Sequence, residues 1–356
     1  MQQTKQPILP SWLSFALSGA FVFSGISVLI FGYLTFQAIW NRPLNPIEEA
    51  AAEVASVNLD LGQDNALPAI TLAPGQPTPT LIPTSEPWGG STRVNILLMG
   101  IDRRPGEPFI SRTDSMMILS IDPVSKSASI LSVPRDLYVV IPGRGRDRIN
   151  TAFVYGAAGN NPAGGATLAM QTVEYNLGVT LNHYILVDFS AVTQGIDTLG
   201  GIDVNVPFTI NDPTYPDMNY GYDPLFIPAG LQHLDGTLAL KYARTRHVDN
   251  DFGRAQRQQQ VILAARDKAI GLGIGSLLAK APIFYQQLEQ GIRTDLTLEQ
   301  IVALATTASE IPRESIRSDV LDYDYVSSYL TEAGAQVLVL NNEKAAALIH
   351  SLFYDE

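Results

Sequence analysis

The longest patterned stretch of the chain lies at its start. From Gln6 to Asn41 no residue carries a charge, and 12–40 is strongly apolar. A helix needs roughly 20 apolar residues to cross a bilayer, so 12–40 predicts one membrane span. A cleaved secretion signal has an apolar core of roughly 7–15 residues, so this longer run predicts a retained anchor. Trp12 and Trp40 stand where interfacial rings sit, and Lys5 with the terminal amine places the short tail 1–11 in the cytoplasm by the positive-inside rule. The remainder is then expected outside the cell membrane. Residues 41–91 carry eight prolines, five of them clustered with Thr and Ser between Pro74 and Pro87. Such a segment holds extended backbone and buries little, which predicts a stalk.

From Thr92 the pattern becomes that of a folded domain reaching residue 356. The run 94–99 is short, apolar and ended by Gly100, as a buried strand is. Runs 115–121 and 127–133, joined by Asp122-Pro123 and a small polar turn, predict a hairpin. Helical periodicity over 167–177, stopped by Gly178, predicts a helix. A strand over 184–188, a helix over 190–199 closed by Gly200-Gly201, and a strand over 204–206 follow. Asp235 is expected to cap a helix over 236–242, and 255–270 predicts a longer one. Thr297 and Gln300 form a capping box opening a helix through 308, and Asn341 or Asn342 caps a last helix reaching 352. The glycine-rich stretch 159–165 follows no clear strand and predicts a loop. The sum is an α/β class, layered α/β/α, with a mixed, partly antiparallel central sheet flanked by helices.

Composition narrows the chemistry. A net charge of −12 argues against a nucleic-acid partner, because phosphate backbones call for a basic surface. Cysteine is absent, which excludes a disulfide partner and thiolate chemistry. The four histidines are too dispersed for a zinc site. Positive charge is uneven: there are 17 Arg and 6 Lys, with seven Arg between Arg103 and Arg148 and five between Arg244 and Arg266. Arginine presents a permanently charged planar fork that grips phosphate oxygens in pairs. Two such clusters in an acidic chain predict one focused anion site, with scattered surface arginine as the competing reading.

Asp102 follows the first predicted strand and Asp114 precedes the second, so antiparallel pairing brings them to one sheet edge. Ligands gather at such strand ends. Two carboxylates without His or Cys suit a hard, oxygen-loving cation such as Mg²⁺, and equally suit plain turn formation. In the second arginine cluster, Arg244 and Arg246 alternate and would share a face of an extended segment. Arg254 and Gln258 share a face at a helix start, where free N–H groups favour an anion. Asp251 stands just before that start, as its N-cap or as a local base, and Gly253 permits close approach. Ion pairs with Asp249 and Asp251 on a solvated helix are the plainer alternative.

These residues also carry a resemblance. Leu97 to Asp102, Arg112 to Met116, Ser132 to Asp136 and Asp147 to Asn150 resemble the successive motifs of the LytR-CpsA-Psr family of cell-envelope proteins. So do Val187-Asp188-Phe189, Leu199 to Val204, Gln232 to Gly236, Ala239 to Arg244, and Asp251 to Arg254 with Arg257-Gln258. The match covers about Val94 to Lys268 and is looser from Gly271 onward. The resemblance implies an anchored, extracytoplasmic α/β domain with a long apolar pocket for a polyprenyl tail. It implies a phosphotransferase moving an anionic glycopolymer, such as teichoic acid or capsule, from an undecaprenyl-pyrophosphate carrier to a peptidoglycan acceptor through a phosphodiester link. By motif, Asp102 and Asp114 would hold Mg²⁺, with Mn²⁺ as the alternative. Arg135, Arg244, Arg246, Arg254 and Gln258 would grip the pyrophosphate, with Arg104 and Arg148 as additions. Asp251 is the candidate base, and the connection from Arg246 to Asp251 is shorter than in many relatives. A pyrophosphate hydrolase using water as acceptor, and a non-catalytic receptor for lipid-linked anions, are the competing functions.

Overall fold

Strands with both faces covered read as near-continuous apolar runs, and the central ones here do. The computed structural model describes residues 92–103, 106–217, 221–273 and 290–354. The apolar segment 12–40, the stalk 41–91 and Arg104 lie outside the described residues. In β1 (Val94–Ile101), Leu97, Met99 and Ile101 enter the main core while Val94 and Ile96 pack on the opposite face. β2 (Thr113–Asp122) pairs with it antiparallel and divides Met116 and Ile118 from Met117 in the same way. β3 (Ser127–Ser132) completes the expected hairpin.

The chain then makes a small hairpin of β4 (Tyr138–Ile141) and β5 (Gly145–Arg148), followed by α1 (Thr151–Gly156) and α2 (Pro162–Leu177). Segment 159–165, expected as a loop, is half helix: Asn161 caps α2 by accepting a hydrogen bond from the Gly164 N–H at 2.9 Å. Gly164 and Gly165 serve packing. A Cβ on Gly156 would lie 2.3 Å from the Gly164 carbonyl oxygen, and one on Gly165 would lie 2.8 Å from the Phe153 ring. The two helices therefore meet at backbone distance, which a residue with a side chain would prevent.

β6 (His183–Asp188) lies parallel to β1 on its free side, and Asp188 caps α3 (Phe189–Leu199). A second, smaller core follows, built by β7 (Ile202–Val206), β8 (Ile210–Asp212), β9 (Leu225–Ile227), β10 (Gly230–Leu234) and α4 (Gly236–Arg244) around the fully buried Tyr242. From there α5 (Asp251–Leu272) returns across the sheet, and β11 (Ile292–Thr294) and α6 (Leu298–Glu310) lead to β12 (Ile316–Val320). The hairpin β13 (Val326–Leu330) and β14 (Gln336–Leu340) precedes the last helix, α7 (Asn342–Phe353), which Asn341 caps.

The main sheet runs β11-β6-β1-β2-β3-β12 and mixes parallel with antiparallel neighbours. One face packs on α1, α2 and α7 through Phe153, Val173 and Ile349. The other meets α5 at Leu263 and α6 at Leu304. This is the expected mixed sheet between helices. Both edge strands escape sequence patterning for a physical reason. β11 has three residues, and β12 exposes Arg317 and Ser318, as edges that must not recruit another chain do.

Candidate functional site

The site forms where β1 ends and β2 begins. Gly100 is in register with Ser115, but Ile101 is in register with Thr113, so Asp114 is the extra residue of a bulge. Bulges re-aim side chains. Asp102 and Asp114 consequently line one cavity of about 210 Å³, together with Arg244, Arg246, Arg254 and Gln258. An adjoining cleft shares Asp114, Arg254 and Gln258 and is walled by Arg135 and Asp251.

The pairings are specific. Arg135 donates from Nη1 to Asp114 Oδ1 at 2.6 Å, and its Nε lies 3.3 Å from Asp251 Oδ2. Arg244 donates from Nη2 to Asp102 Oδ2 at 3.3 Å, with its guanidinium 4.1 Å from the centre of the Phe189 ring. Arg246 stands 3.8 Å from Asp251 Oδ1, and Arg254 donates from Nη2 to Asp251 Oδ2 at 3.4 Å. Long pairs between partly exposed groups stabilise a fold little, and phosphate oxygens can replace the carboxylates in them.

Two arginines differ in electrostatic state. Burial by itself would lower the Arg135 pKa, but the Asp251, Asp114 and Asp136 carboxylates hold it above the ordinary arginine value. Arg254 is held below that value, first by burial and then by the neighbouring Arg135 and Arg246 charges, against the opposing pull of Asp251. Its buried Nε also has no hydrogen-bond partner among the described residues. Arginine stays protonated at physiological pH, so the depression is an electrostatic cost that a bound anion would relieve.

The loop bearing Arg244 and Arg246 is fixed from beneath. Buried Arg257 donates from Nε to the Tyr242 carbonyl at 3.0 Å, from Nη2 to the Thr245 carbonyl, and pairs with Asp249. Fully buried Asp212 accepts from Thr245 Oγ1 at 2.6 Å and lies 2.9 Å from His247 Nδ1. Burial alone would raise the Asp212 pKa, but the bonds from Thr245 and His247, with the His247 charge, leave it below the ordinary value. Sequence pattern singles out neither support as such. Asp212 sits in a short polar stretch, and Arg257 lies among similar Arg and Gln residues.

Several expectations change here. Asn250, not Asp251, is the cap of α5, accepting from the Phe252 and Gly253 N–H groups at 3.0 Å each. Asp251 is the first helical residue, which leaves its carboxylate to the arginines. Arg244 and Arg246 do not alternate along an extended segment, because Arg244 is the last residue of α4, yet both reach the cavity. The close approach at Gly253 is to the Asp249 carboxylate, which a Cβ would meet at 2.0 Å. Arg148 does not line the arginine cavity. It pairs with Asp136 at 3.1 Å and donates to the Gln336 carbonyl at 2.8 Å.

Among the described residues no group of three His, Cys, Asp or Glu could hold a metal ion. Asp102 and Asp114 nevertheless bring two carboxylates to one cavity, whose lining also holds Asp212 and His247, paired with each other at 2.9 Å. That donor set fits Mg²⁺, which commonly takes one or two carboxylates and completes its shell with water and substrate phosphates.

Known proteins share this arrangement's frame. The sequence model of the LytR_cpsA_psr family matches residues 77–352. The chain belongs to the LytR_cpsA_psr family. A relative from Oceanobacillus iheyensis, named polyisoprenyl-teichoic acid–peptidoglycan teichoic acid transferase TagU, is 39% identical over 215 residues, covering 60% of this chain and 62% of the relative. The chain thus spans less than two thirds of the curated relatives it matches, 61–63% in the first three. The structure described as TagT bound to LI-WTA superposes with a TM-score of 0.60 at 27% identity, covering 78% of this chain and 95% of that one. Crystalline Bacillus subtilis TagV gives 0.58 at 26%, covering 74% and 98%. The mixed sheet between helices is therefore a LytR_cpsA_psr fold.

In this family member Arg244→Lys keeps the charge but loses the paired fork and the stacking on Phe189. Affinity for a lipid pyrophosphate is expected to fall about tenfold or more, since a charge-assisted bond contributes roughly 1.5–3 kcal/mol. Isothermal titration against the unmodified protein checks this. Unchanged affinity would make Arg244 an ordinary surface charge.

Proposed function

We propose that this chain is a phosphotransferase that moves an anionic glycopolymer from a polyprenyl-pyrophosphate carrier to peptidoglycan. The observation that carries the reading is the convergence of Arg135, Arg244, Arg246 and Arg254 with Asp102 and Asp114 on adjoining clefts at one sheet edge. The TagU name of the O. iheyensis relative states this kind of transfer for that protein. In the same reading 12–40 anchors the chain in the cell membrane with 1–11 in the cytoplasm, 41–91 is the stalk, and 92–356 works outside. A place for the lipid tail is supported by the second sheet face. Its apolar residues form two separate clusters, around Leu304 and around Leu263, and leave Leu98, Ile185 and Ile301 only partly buried.

The chemistry is positioning and charge neutralisation, as phosphoryl transfer requires. Arg135, Arg244, Arg246 and Arg254, with Gln258, bind the two phosphates and orient the phosphorus that bears the polymer. An acceptor hydroxyl attacks that phosphorus, its O–P bond forms, and the bond to the lipid phosphate breaks. Asp251 takes the hydroxyl proton, and lipid monophosphate leaves while the polymer stays joined through a phosphodiester. Asp102 and Asp114 would hold Mg²⁺, which would neutralise charge on the departing phosphate.

The test is the full chain in detergent with a lipid-linked donor labelled at both phosphates, and peptidoglycan as acceptor. Label retained covalently on peptidoglycan, one phosphate per polymer, is the expected result. Soluble polymer released with equal speed without peptidoglycan would indicate a hydrolase. Tight donor binding without turnover would indicate a receptor.

A further inference from the structure

A second concavity of about 620 Å³ adjoins the site on the side away from the Arg244 cavity. One wall carries Asp136, Arg148 and Asp251, and the other carries Tyr323, Tyr329 and Leu330. Asp251 is the junction, because it also borders the cleft shared by Arg135 and Arg254. We propose that this groove seats the acceptor as a glycan strand, with Tyr323 and Tyr329 as platforms for sugar rings. The proposal rests on the transfer reading and adds to it the acceptor subsite and its chemistry.

The wall is built rather than incidental. The β13–β14 hairpin is bound to the 134–148 segment at three points. The Leu338 N–H donates to the Asp136 carbonyl at 3.0 Å, Leu338 bridges Leu137, and Arg148 donates to the Gln336 carbonyl. After Val326, every residue of β13 faces solvent. Tyr323 is 63% exposed, Tyr329 49% and Leu330 62%, so large apolar surface is kept in water beside a catalytic cleft. Tyr323 also meets Phe252 at 4.7 Å in an edge-on contact, which ties its position to the start of α5 where Asp251 sits.

The lining selects the class of occupant. Asp136 and Asp251 outnumber Arg148, which Asp136 already pairs, so the lining offers a polyanion no net positive charge, and a lipid chain calls for an uninterrupted apolar wall. A saccharide offers apolar ring faces to tyrosines and hydroxyl donors to carboxylates, which is the mixture present. The volume falls in the roughly 300–1,000 Å³ range of sites that bury ligands of a few rings. Tyrosine supplies broad contact area at a small entropic cost, with its hydroxyl left for hydrogen bonding. A strand lying there brings a hydroxyl to Asp251 while the phosphates occupy the arginine side.

The experiment uses the full chain in detergent and defined, lipid-free peptidoglycan glycan oligomers, with affinity read by titration calorimetry. The unmodified protein is expected to bind them, and Tyr323→Ala with Tyr329→Ala to raise Kd by about tenfold or more. Each tyrosine replaced by Trp should hold Kd within about threefold, since an aromatic face is retained. Affinity for the lipid-pyrophosphate donor should not move in any variant, and in transfer assays KM for acceptor should rise with little change in kcat. No glycan binding by the unmodified protein, or equal Kd in the double Ala variant, overturns the proposal. Each single Ala variant repeats the comparison should the double variant lose its thermal transition. Because the titration contains no donor, it decides the groove independently of whether transfer occurs.

Discussion

Asp102→Asn should fold normally, retain measurable binding of the lipid-linked donor, and lose polymer transfer by at least about two orders of magnitude, or roughly 2.7 kcal/mol of barrier. Asp102 sits just past the end of β1 with its carboxylate part exposed, and its ion pair is a long one to Arg244. Asparagine keeps the size and one oxygen for Arg244. It removes the negative charge that would share a cation with Asp114. In the proposed mechanism the arginines bind the donor, so its affinity should persist. Chelation of divalent metal should reproduce the loss in the unmodified protein. Transfer assays of both, beside a thermal melt of the variant, make the comparison. Full activity in the variant and in chelator would reduce Asp102 and Asp114 to turn residues.

The opposite signature is expected one residue along the chain. Arg103 donates to Asp188 Oδ2 from Nε at 3.0 Å and from Nη2 at 2.5 Å. It also donates to the carbonyls of Glu107 and Gln290 at 2.6 Å each, with Phe109 against its guanidinium at 3.9 Å. Asp188 is 1% exposed, and its other oxygen caps α3 by accepting from the Ala191 N–H at 2.9 Å. Asp188→Ala leaves Arg103 buried without its counter-charge and α3 without its cap. Removing one partner of a buried pair costs about 3–5 kcal/mol, and losing a cap costs roughly 0.5–2 kcal/mol more. Denaturant unfolding should show that loss as a lower midpoint, shifted by the lost free energy divided by a nearly constant slope m. A loss under about 1 kcal/mol would mean that water reaches Arg103.

These two neighbours show what the sequence could and could not tell. Asp102 was legible because it ends an apolar run, and Asp114 because it starts one. Arg135, Arg244, Arg246 and Arg254 stood out as forks clustered in an acidic chain, and their convergence follows from strand ends meeting a helix start. Arg103 looks like any of its arginine neighbours, and only the fold places Asp188 beside it. The same holds for Asp212, whose partners Thr245 and His247 lie over thirty residues away. Local pattern left Asp251 as either cap or base, since Asn250 beside it is an equally good cap. The β13–β14 hairpin was illegible because nearly all of β13 faces solvent, so its alternation never separates an inner from an outer face.

The placement of β1 has a mechanical meaning. The chain enters the described fold through the central strand, hydrogen-bonded to β2 on one side and β6 on the other. Arg93, just before it, is fastened to Asp122 at 3.0 Å and to the Leu352 carbonyl of the last helix at 3.4 Å. The arginine cavity lies at the other end of the same strand. Tension between the segment preceding Thr92 and a polymer held in that cavity therefore runs along the axis of β1. Such a load shears two ladders at once instead of peeling an edge strand bond by bond. Resistance to it is set by the rate of forced unfolding and not by equilibrium stability. In the proposed role between membrane and wall, the chain would bear strain along a strand bonded on both sides.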